Sequence, residues 1–520
     1  MALNSKHPLY ADYLEDWQTC RDCYRGERVV KGRGQVYLPA TSGMVADGMD
    51  NANQVGYKAY QAYVTRAVFP DFVKLAVEHF IGMMHSRPPA IELPKALEPM
   101  LLSADATGNP MEHLLRRINE QQLVTGRAGI MLDLPRNPDP ANPLPYIALY
   151  RAEAIINWDD GSKEELDRPV LNLVVLDESE FKRGADFEWT NVEQYRVLVI
   201  GDPTNNETAG VYRQGLYSQD NSTLTFSEDR LMEPSVRGRK LNRIPFEFVN
   251  TKDTVSSPDD PPLLGLARLC LAIYRGEADY RQNLFMQGQD TLVRIGYMDD
   301  DKETRTGAGA IIDVPMGGDA KYIGVSANGL TEQGKALEND KGEAAQVAGR
   351  LATAKSNAVE SGDALQTRVA AAVASLTSIA LTSAMALERL LKAAAEWVGA
   401  NPDEVKVTPN LEFADSAFDT KNLVELMTAK TMGAPISRKS IHELMQDRGL
   451  TQMDLETELD EIEAEEPLTG STQANADRQF ELDQQQSQQE PDDDEGDGSP
   501  GGQQPGGGGQ GGGAGGSAGR

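Results

Sequence analysis

Residues 361–398 read SGDALQTRVAAAVASLTSIALTSAMALERLLKAAAEWV, and this stretch decides the fold. Asp363, with Gln366 three residues later, is the pattern of a helix capping box, and Gly399 followed by Pro402 is a stop signal. The stretch is therefore predicted to form one uninterrupted helix, which would be roughly 50 Å long at 1.5 Å per residue.

The middle of this helix carries small, uncharged side chains. No ionisable residue lies between Arg368 and Glu388, and Ala, Ser and Thr cover the face opposite an aliphatic stripe. The many hydroxyls and the few large aliphatic residues make a membrane span a poor interpretation. Because small side chains let helices approach closely, the helix is expected to pack on several sides, against its own domain and against a neighbouring subunit.

The composition and net charge of the chain limit the classes of function that it can have. The chain has 520 residues and a formal net charge of −30, and acidic residues dominate from Asp454 to Asp497. This negative net charge argues against a protein that binds nucleic acid tightly by neutralising its phosphates. It does not argue against a protein along which DNA moves without being bound. Three cysteines and an N-terminal segment without an apolar core favour a reducing compartment and cytoplasmic synthesis.

The first half of the chain alternates helical and strand-like patterns, which predicts a mixed α+β region. The helix over Tyr57–Met84, interrupted at Pro70, is expected to place one face inward, made of Phe72, Leu75, Ala76, His79, Phe80 and Met83. A further helix is predicted at Met111–Thr125, and strands at Gln35–Leu38, Ile130–Leu134, Tyr146–Tyr150, Leu171–Leu176, Tyr195–Ile200 and Ile244–Val249.

The second half has a different order, in which long helices flank a small Gly-rich β segment. Helices are predicted at Leu263–Gln287 and Thr331–Ala354, with strands between them at Leu292–Tyr297, Ala310–Val314 and Tyr322–Val325. A strand-like VKVTPNLEF precedes short helices at Thr420–Met432, Ser437–Arg448 and Gln452–Ala464, and the Gln-, Asp- and Gly-rich residues after Pro467 are predicted to be disordered.

Two motifs were weighed for metal or redox chemistry. Cys20 and Cys23 have C-x-x-C spacing, but no second pair accompanies them, so two ordinary thiols in a helix are favoured over a zinc or thioredoxin-like role. His442-Glu443 is followed by Gln446 where a zincin helix needs a second histidine. No metal and no cofactor are expected.

Catalytic patterns are missing as well. Gly334-Lys335 is followed by Ala336 rather than by the Ser or Thr of a phosphate-binding loop. No pair of carboxylates stands out on a predicted scaffold, so the chain is not expected to be an enzyme. A hydrolase remains the minor alternative, and it would require a convergent Asp/Glu pair in a deep pocket within the first 250 residues.

The joint between the two last long helices is the candidate functional segment. It consists of Lys355, Ser356, Asn357, Ala358, Val359, Glu360, Ser361 and Gly362. One interpretation is a plain helix-to-helix turn. The other is a mobile polar loop, displayed between two long helices, along which another molecule slides.

The order of motifs resembles the portal proteins of tailed bacteriophages, in particular a branch catalogued as a domain of unknown function. The resemblance covers nearly the whole chain to about residue 466. The matching motifs are His7-Pro-Leu-Tyr with Trp17, Cys20 and Cys23, Tyr37-Leu-Pro39, Ser86-Arg-Pro-Pro-Ala-Ile-Glu-Leu-Pro94, Arg243-Ile-Pro-Phe246, Pro262-Leu-Leu-Gly-Leu-Ala267 with Tyr274 and Ala278-Asp279, Glu360-Ser-Gly-Asp-Ala-Leu365, and Gly433-Ala-Pro-Ile-Ser437 with Gly449.

The resemblance implies a portal-like protomer of α+β class. Its parts map onto the chain as a mixed α+β wing at 1–250, a first stem helix at 251–289, a β-rich clip at 290–328, a second stem helix at 329–354, a tunnel loop at 355–362, the long helix with the rest of the wing at 363–420, a helical crown at 421–466 and a disordered acidic, then Gly-rich tail at 467–520.

The resemblance also implies a function. Portal proteins form a ring, usually a homododecamer, at one capsid vertex of the virion, through which double-stranded DNA is packaged and ejected without sequence specificity. The implied partners are the terminase large subunit, the major capsid protein and head-tail connector proteins, with no membrane. Lys355 would be the phosphate contact of the tunnel loop. The alternative is a capsid assembly or scaffolding protein without a channel.

Overall fold

The computed structural model describes residues 3–135, 144–160, 171–201, 210–218, 226–287, 291–295, 317, 319–323, 329–348, 362–412, 437–447 and 453–464, with 428, 430, 432 and 435. The chain divides into two compact units, Met1–Asp415 and Ser416–Arg520. The fold is mixed α+β, as predicted.

The first unit contains nine α-helices among its described residues. They are α1 (Pro8–Arg25), α2 (Glu27–Gly32), α3 (Ser42–Ala46), α4 (Val55–Arg66), α5 (Phe72–Met84), α6 (Met111–Thr125), α7 (Leu264–Gln287), α8 (Leu330–Val347) and α9 (Gly362–Val398). None of the described helices is long and apolar enough to cross a membrane.

The described strands form small antiparallel sheets. They are β1 (Ala90–Glu92), β2 (Arg127–Asp133), β3 (Tyr146–Arg151), β4 (Ile155–Asp159), β5 (Leu173–Asp177), β6 (Glu180–Arg183), β7 (Trp189–Val192), β8 (Gln194–Ile200), β9 (Tyr212–Ser218), β10 (Ser235–Val236), β11 (Arg239–Lys240), β12 (Phe246–Asn250), β13 (Thr291–Ile295), β14 (Asp319–Ile323) and β15 (Lys406–Thr408). The two larger sheets have the orders β12-β2-β3 and β4-β5-β8-β9, and β1–β15, β6–β7, β10–β11 and β13–β14 pair separately.

Three apolar clusters form the core of the first unit. The first joins α1, α4, α5 and α7 with α8 and the middle of α9. The second packs α6 and the C-terminal half of α9 against β2 and β3. The third lies between the N-terminal part of α1 and the strands from β2 to β5, β8, β9 and β12. The long helix α9 contributes to two of these clusters, so it ties the helical part to the sheets.

The helix predicted from Ser361 to Val398 is confirmed as α9, which begins at Gly362. Its stop signal is confirmed too, because Gly399 has φ +73° and the Ala400 N–H donates to the Ala395 carbonyl over 2.8 Å. This is the hydrogen bond of a Schellman termination. The predicted close packing within its own domain is also observed, since Ala386, Ala394 and Ala395 are fully buried.

Most long elements fall where the periodicity predicts them. The helix Met111–Thr125 is reproduced as α6, the helix over Leu263–Gln287 as α7, and the interrupted helix over Tyr57–Met84 as α4 and α5. Strands predicted at Ile130–Leu134, Tyr146–Tyr150, Leu171–Leu176, Tyr195–Ile200 and Ile244–Val249 correspond to β2, β3, β5, β8 and β12.

Two local predictions are wrong. The predicted strand Gln35–Leu38 is a turn of 3₁₀ helix over Gly34–Val36, because Gly34 adopts φ +56° and its carbonyl accepts from Leu38 N–H. The predicted inward face of α5 is rotated by about one residue. The buried side chains are Val73, Ala76, Val77, Ile81 and Met84, whereas His79 is exposed.

The β-rich segment and the following helix are described in part. β13 and β14 pair in register from Thr291 with Ile323 to Ile295 with Asp319. They correspond to the first and last of the three predicted strands, and the predicted strand Ala310–Val314 lies outside the described residues. The helix predicted at Thr331–Ala354 is observed as α8 up to Val347, and residues 349–354 also lie outside the described residues.

The second unit contains two described α-helices, α10 (Arg438–Asp447) and α11 (Leu455–Ala464). Each has a side-chain cap: Ser437 Oγ accepts from Ser440 N–H at 2.9 Å, and Asp454 Oδ1 accepts from Thr457 N–H at 2.8 Å. Both helices were predicted. Of the predicted helix Thr420–Met432, Thr428 and Lys430 are described and are helical.

Candidate functional site

The predicted tunnel loop lies almost wholly outside the described residues. Of Lys355 to Gly362, Gly362 alone is described, and it is the first residue of α9. The described elements that flank the loop are α8 before it and α9 after it.

The helices α7 and α8 pack side by side around a buried carboxylate. Glu277 on α7 is 4% exposed, and it accepts hydrogen bonds from Arg281 one turn on, at 2.6 Å, and from Lys341 on α8. Burial raises the pKa of Glu277, but the two cationic partners outweigh it and hold this pKa below its ordinary value. The helix pair is thus locked by a charged bridge as well as by apolar packing.

The same helix pair has a close-packed crossing. A Cβ added at Gly276 of α7 would lie 2.8 Å from Leu337 of α8, so glycine allows the two helices to approach here. Further along, Asn283 donates to Gln333 at 3.2 Å. These contacts place the end of α7 beside the start of α8, and β13 and β14 lie between them in the chain.

The C-terminal end of α7 is tied to α4 and then leaves apolar side chains exposed. Tyr63 donates to Asp279, and the Arg66 guanidinium lies 4.3 Å from the centre of the Phe285 ring. Phe285 and its neighbours Leu284 and Met286 are 43–47% exposed. Three consecutive half-exposed apolar residues at a helix end form an uncovered patch on the single chain.

A buried polar seam fixes α9 to the rest of the first unit. Asn119 of α6 donates to Ser383 of α9 at 2.7 Å, and Gln122 donates to Thr382 at 3.1 Å and to the Asn250 carbonyl at 2.7 Å. All these side chains are 4% exposed or less. Because buried polar groups are costly to leave unpaired, the seam defines the register of α9 on α6 and β12.

His85 extends the seam at one end. Its Nε2 lies 2.9 Å from Asn119 Oδ1, and burial is the larger effect that lowers the pKa of His85. A neutral imidazole therefore completes a hydrogen-bond chain from α5 through α6 to α9. No residue of this seam was predicted from the sequence, although the hydroxyls of α9 were noted.

Two carboxylates do converge within the first 250 residues. Asp133 on β2 and Glu178 after β5 both accept from Arg196 on β8, at 3.0 and 2.7 Å. Tyr146 donates to Asp133 and Tyr150 to Glu178, at 3.1 and 2.6 Å. The cluster borders a cleft of about 230 Å³, to which Asp133 and Arg196 contribute.

The minor hydrolase alternative requires such a pair in a deep pocket, but of the two carboxylates Asp133 lines the cleft and Glu178 does not. Both carboxylates form an ion pair with the same guanidinium, and each is hydrogen-bonded by a tyrosine hydroxyl. The negative charge of Glu178 and burial raise the pKa of Tyr150, with burial the larger effect, so this phenol stays a hydrogen-bond donor. Both carboxylates are therefore already held by donors of their own chain.

Cys20 and Cys23 lie on the buried face of α1 as free thiols. The Cys23 thiol contacts the Ala267 carbonyl at 3.7 Å, and burial raises the pKa of Cys20 to about 12. A thiol held in its protonated form neither ligates metal nor attacks a disulfide readily. Within the described ranges, no cluster of three or more His, Cys, Asp or Glu side chains is placed to hold a metal ion.

The N-terminal motif His7-Pro-Leu-Tyr is a helix start. His7 Nδ1 accepts from Leu9 N–H at 3.1 Å, and its ring stacks on Trp158 with the ring centres 4.1 Å apart. The Tyr10 hydroxyl donates to the Glu153 carbonyl at 3.0 Å. These residues dock α1 on the sheets, so the motif has a structural role in the described unit.

One buried cation, Arg127, forms no ion pair with the residues that the structure describes. Arg127 at the start of β2 is 0% exposed, and its guanidinium lies 4.2 Å from the ring centres of both Trp158 and Phe248. Its three guanidinium nitrogens lack a hydrogen-bond partner among the described residues. Burial lowers the pKa of Arg127 to about 9, and the two aromatic rings provide its compensation.

Comparison with protein families gives one match. The model of a domain of unknown function, DUF4055, matches residues 262–398, which include α7, the described parts of the β-rich segment, α8 and α9. No curated protein matches the chain.

Several solved structures are distantly similar. A chain in the virion of a native gene transfer agent particle is 13% identical, with a TM-score of 0.36, over 78% of this chain and 98% of that one. Chains in the neck of the native particle, computed with C12 symmetry, and of the empty particle, computed with C6 symmetry, are 14% and 15% identical, each with a TM-score of 0.35. They cover 72% and 73% of this chain and 89% and 90% of those chains. Similarity at this level assigns no function.

Proposed function

We propose that this chain is a portal protein, which assembles into a closed ring at a capsid vertex of a virion. The ring is a conduit for packaging and ejecting double-stranded DNA. One observation carries the proposal: α7 and α8 pack against each other, the paired strands β13 and β14 lie between them in the chain, and the 37-residue helix α9 follows. This is the stem, clip, stem and long-helix order that the sequence resemblance implies.

The exposed apolar patches of the single chain support self-assembly. Leu284, Phe285 and Met286 are uncovered at the end of α7, and Leu381 and Met385 are 47% and 39% exposed on α9. Leu381 and Met385 are four residues apart and therefore share a face of the helix. A ring of identical heterologous contacts would cover such patches in every subunit.

The separate pair β13–β14 also favours an oligomer. A two-stranded ribbon without further strands is marginally stable alone, and the described β13 and β14 pair only with each other. Neighbouring copies of the ribbon in a ring would provide the missing packing. The terminase large subunit, and later the head-tail connector proteins, would dock on this part, and the major capsid protein would surround the wing.

The proposal assigns no catalytic reaction to the chain. The converging carboxylates of Asp133 and Glu178 both form ion pairs with Arg196, which suits a structural role. The acidic net charge of −30 suits a conduit in which DNA slides. In this proposal the loop 355–362 faces the lumen, and Lys355 makes transient contacts with phosphates.

The test is electron microscopy of the purified full-length chain, with mass photometry of the same sample. We expect a closed ring of about a dozen subunits with an axial hole at least as wide as duplex DNA, about 20 Å. A closed oligomer without a channel would overturn the proposal in favour of an assembly or scaffolding protein. A monomer at concentrations of tens of micromolar would also contradict it.

A further inference from the structure

An aromatic hairpin projects between β5 and β8. The strands β6 and β7 pair with each other and with no other described strand. Three aromatic side chains of this hairpin are uncovered: Phe181 is 68% exposed, Phe187 is 77% exposed and Trp189 is 65% exposed. This is a concentration of exposed aromatic surface that the proposed DNA conduit does not use.

The register of the hairpin places these rings on one side. Phe181 lies opposite Asn191, and Arg183 lies opposite Trp189. Because side chains alternate along a strand and opposite residues share a face, Phe181, Arg183 and Trp189 lie on the same face. The Arg183 guanidinium lies 5.4 Å from the ring centre of Phe187, which holds the turn next to this face. We call Phe181, Phe187 and Trp189 the aromatic knob.

The knob is too small to hold two chains together alone. Aromatic side chains bury about 150–250 Å² each, so three rings at two-thirds exposure offer roughly 300–500 Å². A stable complex covers about 800 Å² on each partner. The knob therefore suits one contact within a larger interface, such as that between adjacent copies in a ring.

The same unit carries a cleft of complementary chemistry. It has a volume of about 230 Å³ and lies beside the Asp133–Arg196 ion pair, and its wall includes Leu134, Val236, Leu241, Pro245 and Trp397. A second cleft, of about 480 Å³, has apolar side chains such as Phe246 and Phe248 in its wall, but it also carries four charged residues, Asp160, Arg243, Glu247 and Arg389. The wall of the smaller cleft carries two charged residues, Asp133 and Arg196, which pair with each other. The smaller cleft, with its apolar wall, is the better receptor for the knob.

We infer that the aromatic knob of one copy inserts into the smaller cleft of an adjacent copy of this chain. A projecting patch and a complementary pocket at separate places on one chain make a heterologous contact, which closes into a ring when the rotation permits. Apolar insertion also suits copies that all carry the same acidic charge, because it adds no like-charge pair. The inference rests on the proposed self-assembly, but not on DNA passage.

Cysteine cross-linking between different copies tests the contact. Trp189→Cys in the knob and Val236→Cys in the cleft are placed in two chains that carry tags of different mass and are co-expressed. A short bismaleimide is then added to the assembled fraction. We expect a cross-linked species that contains both tags. The native thiols do not interfere, because Cys20, Cys23 and Cys270 are all buried and burial raises their pKa values.

The matched control is Thr190→Cys, which is exposed on the opposite face of the same hairpin. Paired with Val236→Cys, it should give at least about tenfold less of the two-tag species. Rings that form normally and give equal cross-linking from both positions, or none from Trp189→Cys, would overturn the inference and leave the proposed function standing. A failure of the parent chain to assemble would overturn both.

A second variant measures the energetic contribution. Phe181→Thr with Trp189→Thr should raise the concentration for half-assembly about tenfold or more, because each buried aromatic contact contributes on the order of 1 kcal/mol beyond area burial. Thr190→Ala should leave it unchanged. Circular dichroism and the melting temperature of the unassembled chain show whether the variants fold. Unchanged assembly of the folded double variant contradicts the inference.

Discussion

The Asn119 carboxamide donates a 2.7 Å hydrogen bond to the Ser383 hydroxyl, and the two side chains are 2% and 0% exposed. They are separated by 264 positions in the chain. Ser383 in turn donates to the Ala380 carbonyl at 2.9 Å, so its hydroxyl both accepts and donates a hydrogen bond. This contact fixes α9 at one height on α6, since a shift by one residue would break the hydrogen bond between two buried polar groups.

Asn119→Ala should destabilise the first unit by about 2–3 kcal/mol, because Ser383, Gln122 and His85 each lose a buried partner. The midpoint of urea unfolding measures the change. The control is Arg116→Ala on the exposed side of the same helix, for which we expect less than about 0.5 kcal/mol. Equal effects of the two substitutions would show that the seam does not stabilise the fold.

Arg127→Met should stabilise the unit by about 1–2 kcal/mol. The substitution removes a buried, unpaired charge whose desolvation costs several kcal/mol, and it forfeits two cation–π contacts of lesser value. Because burial lowers the folded pKa of Arg127 to about 9, its penalty is full at pH 7 and decreases as the pH rises above about 9. Urea unfolding at pH 7 checks the sign, with Arg151→Met, an exposed change on β3, as control. A loss of stability at pH 7 would contradict the argument.

Arg196→Met should destabilise the first unit, in contrast to Arg127→Met. Removing this guanidinium leaves the half-buried carboxylates of Asp133 and Glu178 each with a tyrosine hydroxyl but without their cationic partner, which should cost about 3–5 kcal/mol. Thermal unfolding measures the loss. As control, Lys182→Met affects an exposed contact with Glu180 at 3.7 Å and should change stability by about 0–1 kcal/mol. A small effect of Arg196→Met would revive the possibility that these carboxylates are free to react.

Asp105 should make stability depend on acid pH. Burial raises its pKa, but hydrogen bonds from Asn109 and Thr107 outweigh burial and lower the pKa to about 2. The carboxylate therefore stabilises the fold fully above its unfolded pKa of about 4, and this contribution is lost as the pH falls from about 4 to about 2. Asp105→Asn should lower the urea midpoint at pH 7, and its difference from the parent should shrink over that window.

The control for this pH series is Asp12→Asn, an exposed change on α1. It should alter the midpoint little. If the difference between Asp105→Asn and the parent stayed constant from pH 7 to pH 2.5, the hydrogen bonds around Asp105 would not be the cause.

Gly399→Ala should destabilise the end of α9. Gly399 has φ +73°, and an added Cβ would collide with the Arg237 guanidinium, so we expect a loss of about 1 kcal/mol or more. Gly82→Ala on α5 has open space around the new Cβ and should instead stabilise by about 0.5–1 kcal/mol. Differential scanning calorimetry compares the two, and a neutral Gly399→Ala would refute the assigned helix termination.

The sequence predicts the long helices because their apolar residues repeat over many turns. The bounds of α6 are reproduced, and α7 and α9 begin within one residue of the prediction. Short strands are missed for the opposite reason. The hairpin β6–β7 reads as a polar loop, ESEFKRGADFEWTNV, because its four-residue strands leave no room for a periodic signal.

The polar contacts between elements were beyond sequence reasoning. Asn119 and Gln122 look like surface residues of an amphipathic helix, and only the fold brings them to the hydroxyls of α9. Arg196 carried a usable signal, since it is the one charge in the strand QYRVLVI, and a charge within a buried strand requires a partner. Its partners lie on other strands, so the sequence could not identify them.

The 37-residue length of α9 has a mechanical consequence. A helix is stiff along its axis, and Gly362 lies about 30 Å from Ser383 at 1.5 Å per residue. A force on the first turn of α9 is therefore transmitted along the helix to its buried contacts, first the apolar contacts of Leu376 and Ile379 and then the hydroxyl and amide bonds with α6. Because these hydrogen bonds are directional, they resist sliding of the helix along its axis.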